Sequence, residues 1–89
     1  MFKILTNNGM ENKVKMVKID HNSQTGFNTE FKPLIGKYIQ LKIGEQFELL
    51  NENNVWIIRT GNITKIELFT NNQLNITTES GSEYILIAL

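Results

Sequence analysis

The sequence predicts an all-β fold, a small antiparallel barrel or sandwich built from a five-stranded meander and an N-terminal hairpin. Three observations support this prediction. Apolar and polar residues alternate along much of the chain, as in Tyr38–Ile43, and a period of two is typical of a half-buried strand. Turn residues separate these segments at intervals of about ten residues. Helical periodicity is nearly absent, and a chain of 89 residues is the size of one domain, which we place at 1–89.

The first part of the chain predicts the hairpin and a long loop. Phe2–Leu5 is a candidate strand that ends at the turn residues Asn7-Asn8-Gly9, and Lys13–Ile19 alternates as a second strand. Residues 20–29 are polar and rich in turn formers, which predicts the longest loop. Pro33 cannot donate a hydrogen bond to a sheet, so the segment around it predicts an edge or an approach to a strand.

The second part of the chain predicts the meander. Two of its segments, Val55–Ile58 and Tyr84–Leu89, are apolar on both faces. A strand of this kind needs cover on its outer side, either from the N-terminal hairpin or from a second copy of the chain in a homodimer. The turns predicted between the segments are Gly44-Glu45, Asn51–Asn54, Gly61-Asn62, Asn71-Asn72 and Ser80-Gly81.

Amino-acid composition limits the kinds of site that the protein can form and the compartment in which we expect it. Cysteine is absent, which excludes a disulfide, a thiolate metal site and a thiol nucleophile. No apolar run approaches the roughly 20 residues that cross a bilayer, and the N-terminus lacks the apolar core of a secretory signal. We therefore expect a soluble cytoplasmic protein with no membrane partner.

Residue types that support catalysis are sparse. The one histidine, His21, stands between Asp20 and Asn22 in a polar stretch, where a solvated turn residue is its ordinary role. The serines lack a nucleophile-elbow pattern, and the glycines do not form a phosphate-binding motif. One histidine and scattered glutamates do not make a cluster of metal ligands. The sequence therefore predicts a non-enzymatic binding protein with no cofactor and no metal.

Charge is unevenly distributed although the net charge is zero. Residues 1–44 carry seven lysines against three acidic residues, whereas residues 45–89 carry two basic residues against six glutamates. Opposite charges of the two halves could face each other across paired strands. Alternatively, the basic half forms a face that contacts nucleic acid or an acidic protein.

Two aromatic residues and the only arginine are candidates for partner binding. Trp56 and Arg59 belong to residue types that are enriched in interface hot spots. The competing interpretations are that Trp56 is a core residue and that Arg59 pairs with Glu67 or Glu83. Tyr38, with lysines nearby, is a weak form of the stacking pattern of single-strand nucleic-acid binders.

The lysines of the predicted second strand are the remaining candidates. Alternation places Lys13 and Lys15 on the face opposite Val14 and Met16, which we expect to point inward. Lys18 extends this cationic edge. An acidic group of a partner could pair with these lysines, or a glutamate of the same chain, Glu79 or Glu83, could do so. The predicted partner-binding residues are thus Lys13, Lys15, Lys18, Tyr38, Trp56 and Arg59.

A set of spaced positions in residues 36–89 carries a family resemblance. They are Gly36-Lys37, Leu41, Gly44, Trp56, Thr60, Ile63, Ile66, Thr78 and Ser82–Leu86. This layout resembles small β proteins carried by phages and mobile elements of low-GC Gram-positive bacteria. Those proteins commonly place Thr-Ser directly after the tryptophan and Asn-Ser before the tyrosine, whereas this chain has Ile57-Ile58 and Ser82-Glu83.

The resemblance implies an accessory protein of the kind that often binds a host or defence factor. Our leading prediction is a phage or mobile-element protein that binds and inhibits a host or defence protein, for instance a CRISPR effector nuclease. The zero net charge excludes an acidic mimic of DNA. Two alternatives stay open: a small barrel that binds nucleic acid through its lysine-rich half, and a pocket between subunits that sequesters a small nucleotide signal.

Overall fold

Six antiparallel strands close into a barrel in the computed structural model, which describes residues 13–28 and 30–89. The order around the barrel follows the order along the chain, and the first strand pairs with the last. The predicted all-β class and small antiparallel barrel are confirmed. The strands are β1 (Lys13–Lys18), β2 (Leu34–Tyr38), β3 (Gln46–Leu50), β4 (Trp56–Leu68), β5 (Gln73–Thr78) and β6 (Glu83–Ala88).

On β1, β2, β5 and β6 every second residue points into the barrel. On β5, for example, Leu74, Ile76 and Thr78 are buried, whereas the residues between them are only partly covered. Phe47 and Met16 are the largest of the fully buried side chains among the described residues. Burying one such side chain contributes roughly 1.5–3 kcal/mol to stability, so this core is the main source of the barrel's stability.

Strand β1 belongs to the wall of the barrel. It pairs with β2 along one edge and with β6 along the other, and so closes the barrel. The lysines that it carries therefore lie on a strand with two paired edges. The first half of the predicted hairpin, Phe2–Leu5 with the turn Asn7-Asn8-Gly9, lies outside the described residues.

The predicted turn at Gly61-Asn62 is wrong, because β4 runs through it without interruption. The first part of β4 pairs with β3 and the second part with β5, with a shift in register on either side of this point. The backbone N–H of Glu79 donates to the carbonyl oxygen of Asn62 at 2.9 Å. One long strand that changes partner thus takes the place of two predicted strands.

The predicted strand Tyr38–Ile43 is displaced toward the N-terminus in the structure. Strand β2 begins directly after Pro33, where a missing N–H group costs no ladder hydrogen bond. The chain leaves the sheet after Tyr38 and crosses toward β4, where the N–H of Gly44 donates to the carbonyl of Ile63 at 2.8 Å. The turn at Gly44 is confirmed by its positive φ of 91°.

Two other predicted turns are confirmed by their geometry. The side-chain oxygen of Asn51 accepts hydrogen bonds from the N–H groups of Asn53 (2.8 Å) and Val55 (3.1 Å), and Asn54 adopts a φ of 63°. Asparagine both caps such turns and tolerates this left-handed conformation. Gly81 has a φ of 88° between β5 and β6, where glycine carries no steric penalty.

The predicted long loop joins β1 to β2. Near its start Ile19 forms an isolated bridge with Phe27, and the N–H of Asn28 donates to the carbonyl of Lys18 at 3.0 Å. Further along, the ring of Phe31 packs against Tyr84, with 5.8 Å between the centroids. The loop is therefore attached to the barrel at both of these points.

Candidate functional site

A tryptophan and an arginine stack on the outside of the β3–β4 pair. The guanidinium carbon of Arg59 lies 3.4 Å from the centroid of the Trp56 ring, and its Nε lies 3.5 Å from Oε2 of Glu48. Trp56 is 59% exposed, so the interpretation of Trp56 as a core residue is wrong. Arg59 pairs with Glu48, not with either glutamate suggested from the sequence. We call Glu48, Trp56 and Arg59 the tryptophan patch.

An irregularity in the strand pairing places Trp56 and Arg59 together. Residues three apart on a regular strand point to opposite faces. Here Leu49 is opposite Ile58 while Leu50 is opposite Trp56, so β4 contains one extra residue at Ile57. A bulge of this kind changes the phase of the side chains and re-aims them. No turn residue marks it, which is why the sequence did not reveal the stacking.

The contacts of the tryptophan patch contribute little to the stability of the fold. Arg59 and Glu48 are each about one-third exposed, and ion pairs in such positions contribute about 0.2–1 kcal/mol. An exposed cation–π contact is worth about 0.5–1 kcal/mol. The guanidinium nevertheless has contacts on two sides, so the patch presents a large aromatic ring and a cation side by side.

A groove of about 560 Å³ lies on the outer face of β1 and β6. Val17, Ile85 and Ile87 form its floor, because their buried neighbours Met16, Tyr84 and Leu86 point into the barrel. The long loop forms the opposite wall. We call this site the lysine groove; its remaining lining residues are Phe27, Phe31 and Pro33, the lysines Lys15, Lys18 and Lys32, and the amides Asn28 and Gln73.

The outer apolar face of β6 is partly covered by the long loop that forms one wall of the lysine groove. The sequence offered the N-terminal hairpin or a second copy of the chain as cover. In the structure the long loop of the same chain lies over part of this face, and Ile85 and Ile87 are partly buried. The other two-faced segment is open to solvent, since Val55 and Trp56 are both exposed. Self-association stays a prediction.

Lys13 and Lys15 of β1 lie where alternation predicts them. Val14 and Met16 are buried, while Lys13 and Lys15 are on the outer face. Glu79 and Glu83 form no ion pair with Lys15, Lys18 or Lys32 within the part of the chain that the structure describes. Glu83 instead contacts Nε2 of His21. The Nζ of Lys18 lies 5.7 Å from the centroid of the Tyr84 ring.

The structure does not bring Arg59 and the lysines onto one surface. Strands β1 and β4 are three positions apart in either direction around the closed barrel. Outward side chains of these strands therefore point away from each other. A partner that covers the tryptophan patch would need to wrap around the barrel to reach Lys15, so the sequence-predicted residues divide into two separate surfaces.

Tyr38 is not a surface residue, which corrects its assignment as a partner-binding side chain. It is only 4% exposed, and its ring packs on Phe47 with 5.7 Å between the centroids. Burial raises the pKa of the Tyr38 hydroxyl above its ordinary value. The inward phase of β2 places it in the core, so its ring cannot stack on an external base.

A polar depression surrounds the contact between His21 and Glu83. The hydroxyl of Ser80 lies 3.2 Å from those of both Thr78 and Ser82. The serines bond to each other and to the turn, and His21 forms no hydrogen bond to either of them in residues 13–28 and 30–89. The same residues contain no group of three side chains that could hold a metal ion.

No protein-family model, curated protein or solved structure matches the chain. The described residues also contain no helix long and apolar enough to cross a membrane. Function must therefore be inferred from the tryptophan patch and the lysine groove themselves.

Proposed function

We propose that the protein is a non-enzymatic binding protein that recognises another protein through the tryptophan patch. The observation that carries this proposal is the exposed Trp56 ring held at 3.4 Å by the guanidinium of Arg59. Tryptophan and arginine are the residue types that dominate binding energy at protein interfaces. A side chain that is already ordered loses less conformational entropy on binding.

The surroundings of Trp56 also support protein binding. Val55 precedes it and is exposed, and Ile57 follows it with part of its surface open to solvent. Apolar neighbours of this kind exclude water from around a central anchor. Glu48 lies beside Nε of Arg59, and the guanidinium has further N–H groups that can donate hydrogen bonds to a carboxylate or carbonyl of a partner. The patch therefore combines an apolar anchor with a directional donor.

The concrete form that we propose is an accessory protein of a phage or mobile element that binds and inhibits a host or defence protein. A CRISPR effector nuclease is one such target. This form rests on the resemblance of residues 36–89 to small phage-borne β proteins. The tryptophan patch supports only the protein-binding role. The partner should present an apolar depression for the indole ring, with an acidic or carbonyl group beside it.

The experiment that tests the proposal compares Trp56→Ala with a matched control. Purified protein is immobilised and used to capture partners from a lysate of a low-GC Gram-positive host, and the affinity for each captured protein is then measured. Removing a hot-spot side chain costs about 2 kcal/mol or more, which corresponds to roughly a 30-fold weaker Kd. Phe69→Ala removes another exposed aromatic ring away from the patch and should leave binding unchanged.

Three results would contradict the proposal. The first is a partner whose affinity falls equally in both variants. The second is a captured nucleic acid whose binding weakens steeply with salt and does not change in Trp56→Ala, because phosphate contacts dominate such binding. The third applies to the inhibitory form: a captured nuclease that cleaves its substrate at the same rate with and without saturating amounts of the protein.

A further inference from the structure

We propose that the lysine groove binds a small amphipathic anion, a carboxylate attached to an aliphatic or aromatic body. This site is separate from the tryptophan patch, on the opposite side of the barrel, and does not depend on the proposed protein binding. It rests on the shape of the groove, its apolar floor and its three lysines, which have no carboxylate partner among the described residues.

The shape of the lysine groove is that of a small-molecule site. Its volume of about 560 Å³ falls in the range of roughly 300–1,000 Å³ that is typical of ligand pockets. Val17, Ile85 and Ile87 supply an apolar floor, and the aromatic rings of Phe27 and Phe31 supply part of the wall. An aliphatic chain or an aromatic ring placed here would be removed from water and would contact apolar groups on both sides.

The charge of the lysine groove selects an anion. Three lysines line it, and no aspartate or glutamate does. Among the described residues no carboxylate lies within ion-pair distance of Lys15, Lys18 or Lys32. Ammonium groups that share a site repel one another, and a bound carboxylate would relieve that repulsion. The amides of Asn28 and Gln73 add further hydrogen-bond donors.

The strand pairing favours a small ligand over an extended peptide. Peptides often bind a sheet by adding a strand to an open edge. The strands that border the lysine groove, β1, β5 and β6, are each paired on both sides. Along these paired lengths the strands offer no open edge to a further strand, so recognition there comes from side chains, as it does for an amphipathic small molecule.

The test uses three probes with the same aliphatic tail and different charge: decanoate, decanol and decylammonium. Each displaces a bound fluorescent naphthalene sulfonate from the full-length protein, and methyl resonances of Val17, Ile85 and Ile87 report the location. Decanoate should bind about tenfold more tightly than decanol, because a charge-assisted contact is worth about one factor of ten or more. Decylammonium should bind more weakly than either, and the methyl shifts should be confined to the groove.

A pair of lysine variants tests the charge. In Lys15→Gln with Lys32→Gln the preference for decanoate over decanol should fall several-fold, because Lys18 alone remains, while decanol binds as before. Lys42→Gln makes the same chemical change outside the groove, since Lys42 is an exposed residue of the segment between β2 and β3, and should keep the preference. A circular dichroism spectrum and a melting curve establish that each variant is folded.

Several outcomes would overturn the proposal. They include equal affinity for the three probes, an unchanged preference for decanoate in the double variant, and methyl shifts outside the groove. If an acidic peptide or an oligonucleotide shifts the groove methyls and decanoate does not, the site belongs to a macromolecule and the proposal is wrong. The methyl shifts are measured on the unmodified protein, so a variant that fails to fold does not remove the test.

Discussion

The tryptophan patch and the lysine groove use the same barrel in opposite ways. The patch is made by two strands and a bulge, projects a large ring into solvent, and pairs its arginine with Glu48. The groove is made by three strands and a loop, is concave, and leaves its lysines without a described carboxylate partner. A projecting anchor with internal charge balance suits a protein surface, whereas a concave site with unbalanced charge suits a small anion.

The largest expected effect is the difference in stability loss between removing a core ring and removing the exposed ring of Trp56. Phe47→Ala removes a fully buried ring and should cost about 3–5 kcal/mol of stability. Trp56→Ala removes a mostly exposed ring and should cost about 0.5–1 kcal/mol, the value of its cation–π contact. Urea unfolding of both variants measures the difference. If Trp56→Ala destabilises as strongly as Phe47→Ala, the ring is part of the core and the patch is not a free anchor.

A smaller effect is expected at Gly36, which lies on β2 next to the bulge of the patch. A Cβ atom at Gly36 would come within 2.6 Å of the backbone oxygen of Leu50 and 3.1 Å of Cδ1 of Ile57. Backbone cannot give way as a flexible side chain can, so Gly36→Ala should destabilise the barrel by about 1–3 kcal/mol. It should also shift the fluorescence of Trp56, because the bulge moves.

Gly61→Ala is the matched control for this change. A Cβ atom there would lie 3.6 Å from the side chain of Glu79, an ordinary contact. Replacing a glycine at a compatible strand position should be neutral or stabilise by about 0.4–1 kcal/mol. Equal destabilisation by Gly36→Ala and Gly61→Ala would show that the cost does not come from the close approach of Leu50 to position 36.

The two regions also differ in how far the sequence predicted them. Alternation in Lys13–Lys18 was enough to place Lys15 on the outside and Met16 in the core. It could not show that Phe27, Phe31 and the lysine at position 32 would face β6, because contacts between a loop and a distant strand depend on tertiary packing. The groove was therefore missed, although the two-faced strand Tyr84–Leu89 signalled that its outer side needs cover.

The tryptophan patch was predicted in part. Trp56 and Arg59 were recognised by residue type, but their stacking depends on the extra residue at Ile57, and bulges have no fixed sequence signal. Gly61-Asn62 resembled a turn because glycine and asparagine favour turns, yet the paired neighbours of β4 keep that strand extended. Tyr38 failed as a site residue because the displaced start of β2 sets its phase inward.

Salt should act on the two regions with opposite sign. Added salt screens the attraction between Arg59 and Glu48, and it also relieves the repulsion between Lys15, Lys18 and Lys32. Raising ionic strength should therefore stabilise the barrel more in Arg59→Gln, where only the repulsion remains, than in Lys15→Gln with Lys32→Gln. Melting curves at low and high salt measure this difference, which we expect to be within about 0.5 kcal/mol. An identical salt response in the two variants would contradict the contrast in charge balance.

A comparably small effect tests whether Glu48 orders the tryptophan patch. Glu48→Gln keeps the shape of the side chain and removes its charge, and it should cost about 0.2–1 kcal/mol, the value of a partly exposed ion pair. Glu52→Gln, in the exposed turn that follows β3, makes the same change and should leave stability unaltered.

The informative measurement on Glu48→Gln is the order of Arg59 rather than stability. Without the carboxylate beside Nε, the guanidinium is held by the Trp56 ring alone, so NMR relaxation of the Arg59 Nε–H group should show greater motion than in the unmodified protein. Partner affinity through Trp56 should then fall by several-fold, because more conformational entropy is lost when the partner binds. If Arg59 is equally ordered in Glu48→Gln and Glu52→Gln, the cation–π contact fixes the patch by itself. Glu48 would then make no contribution to its arrangement.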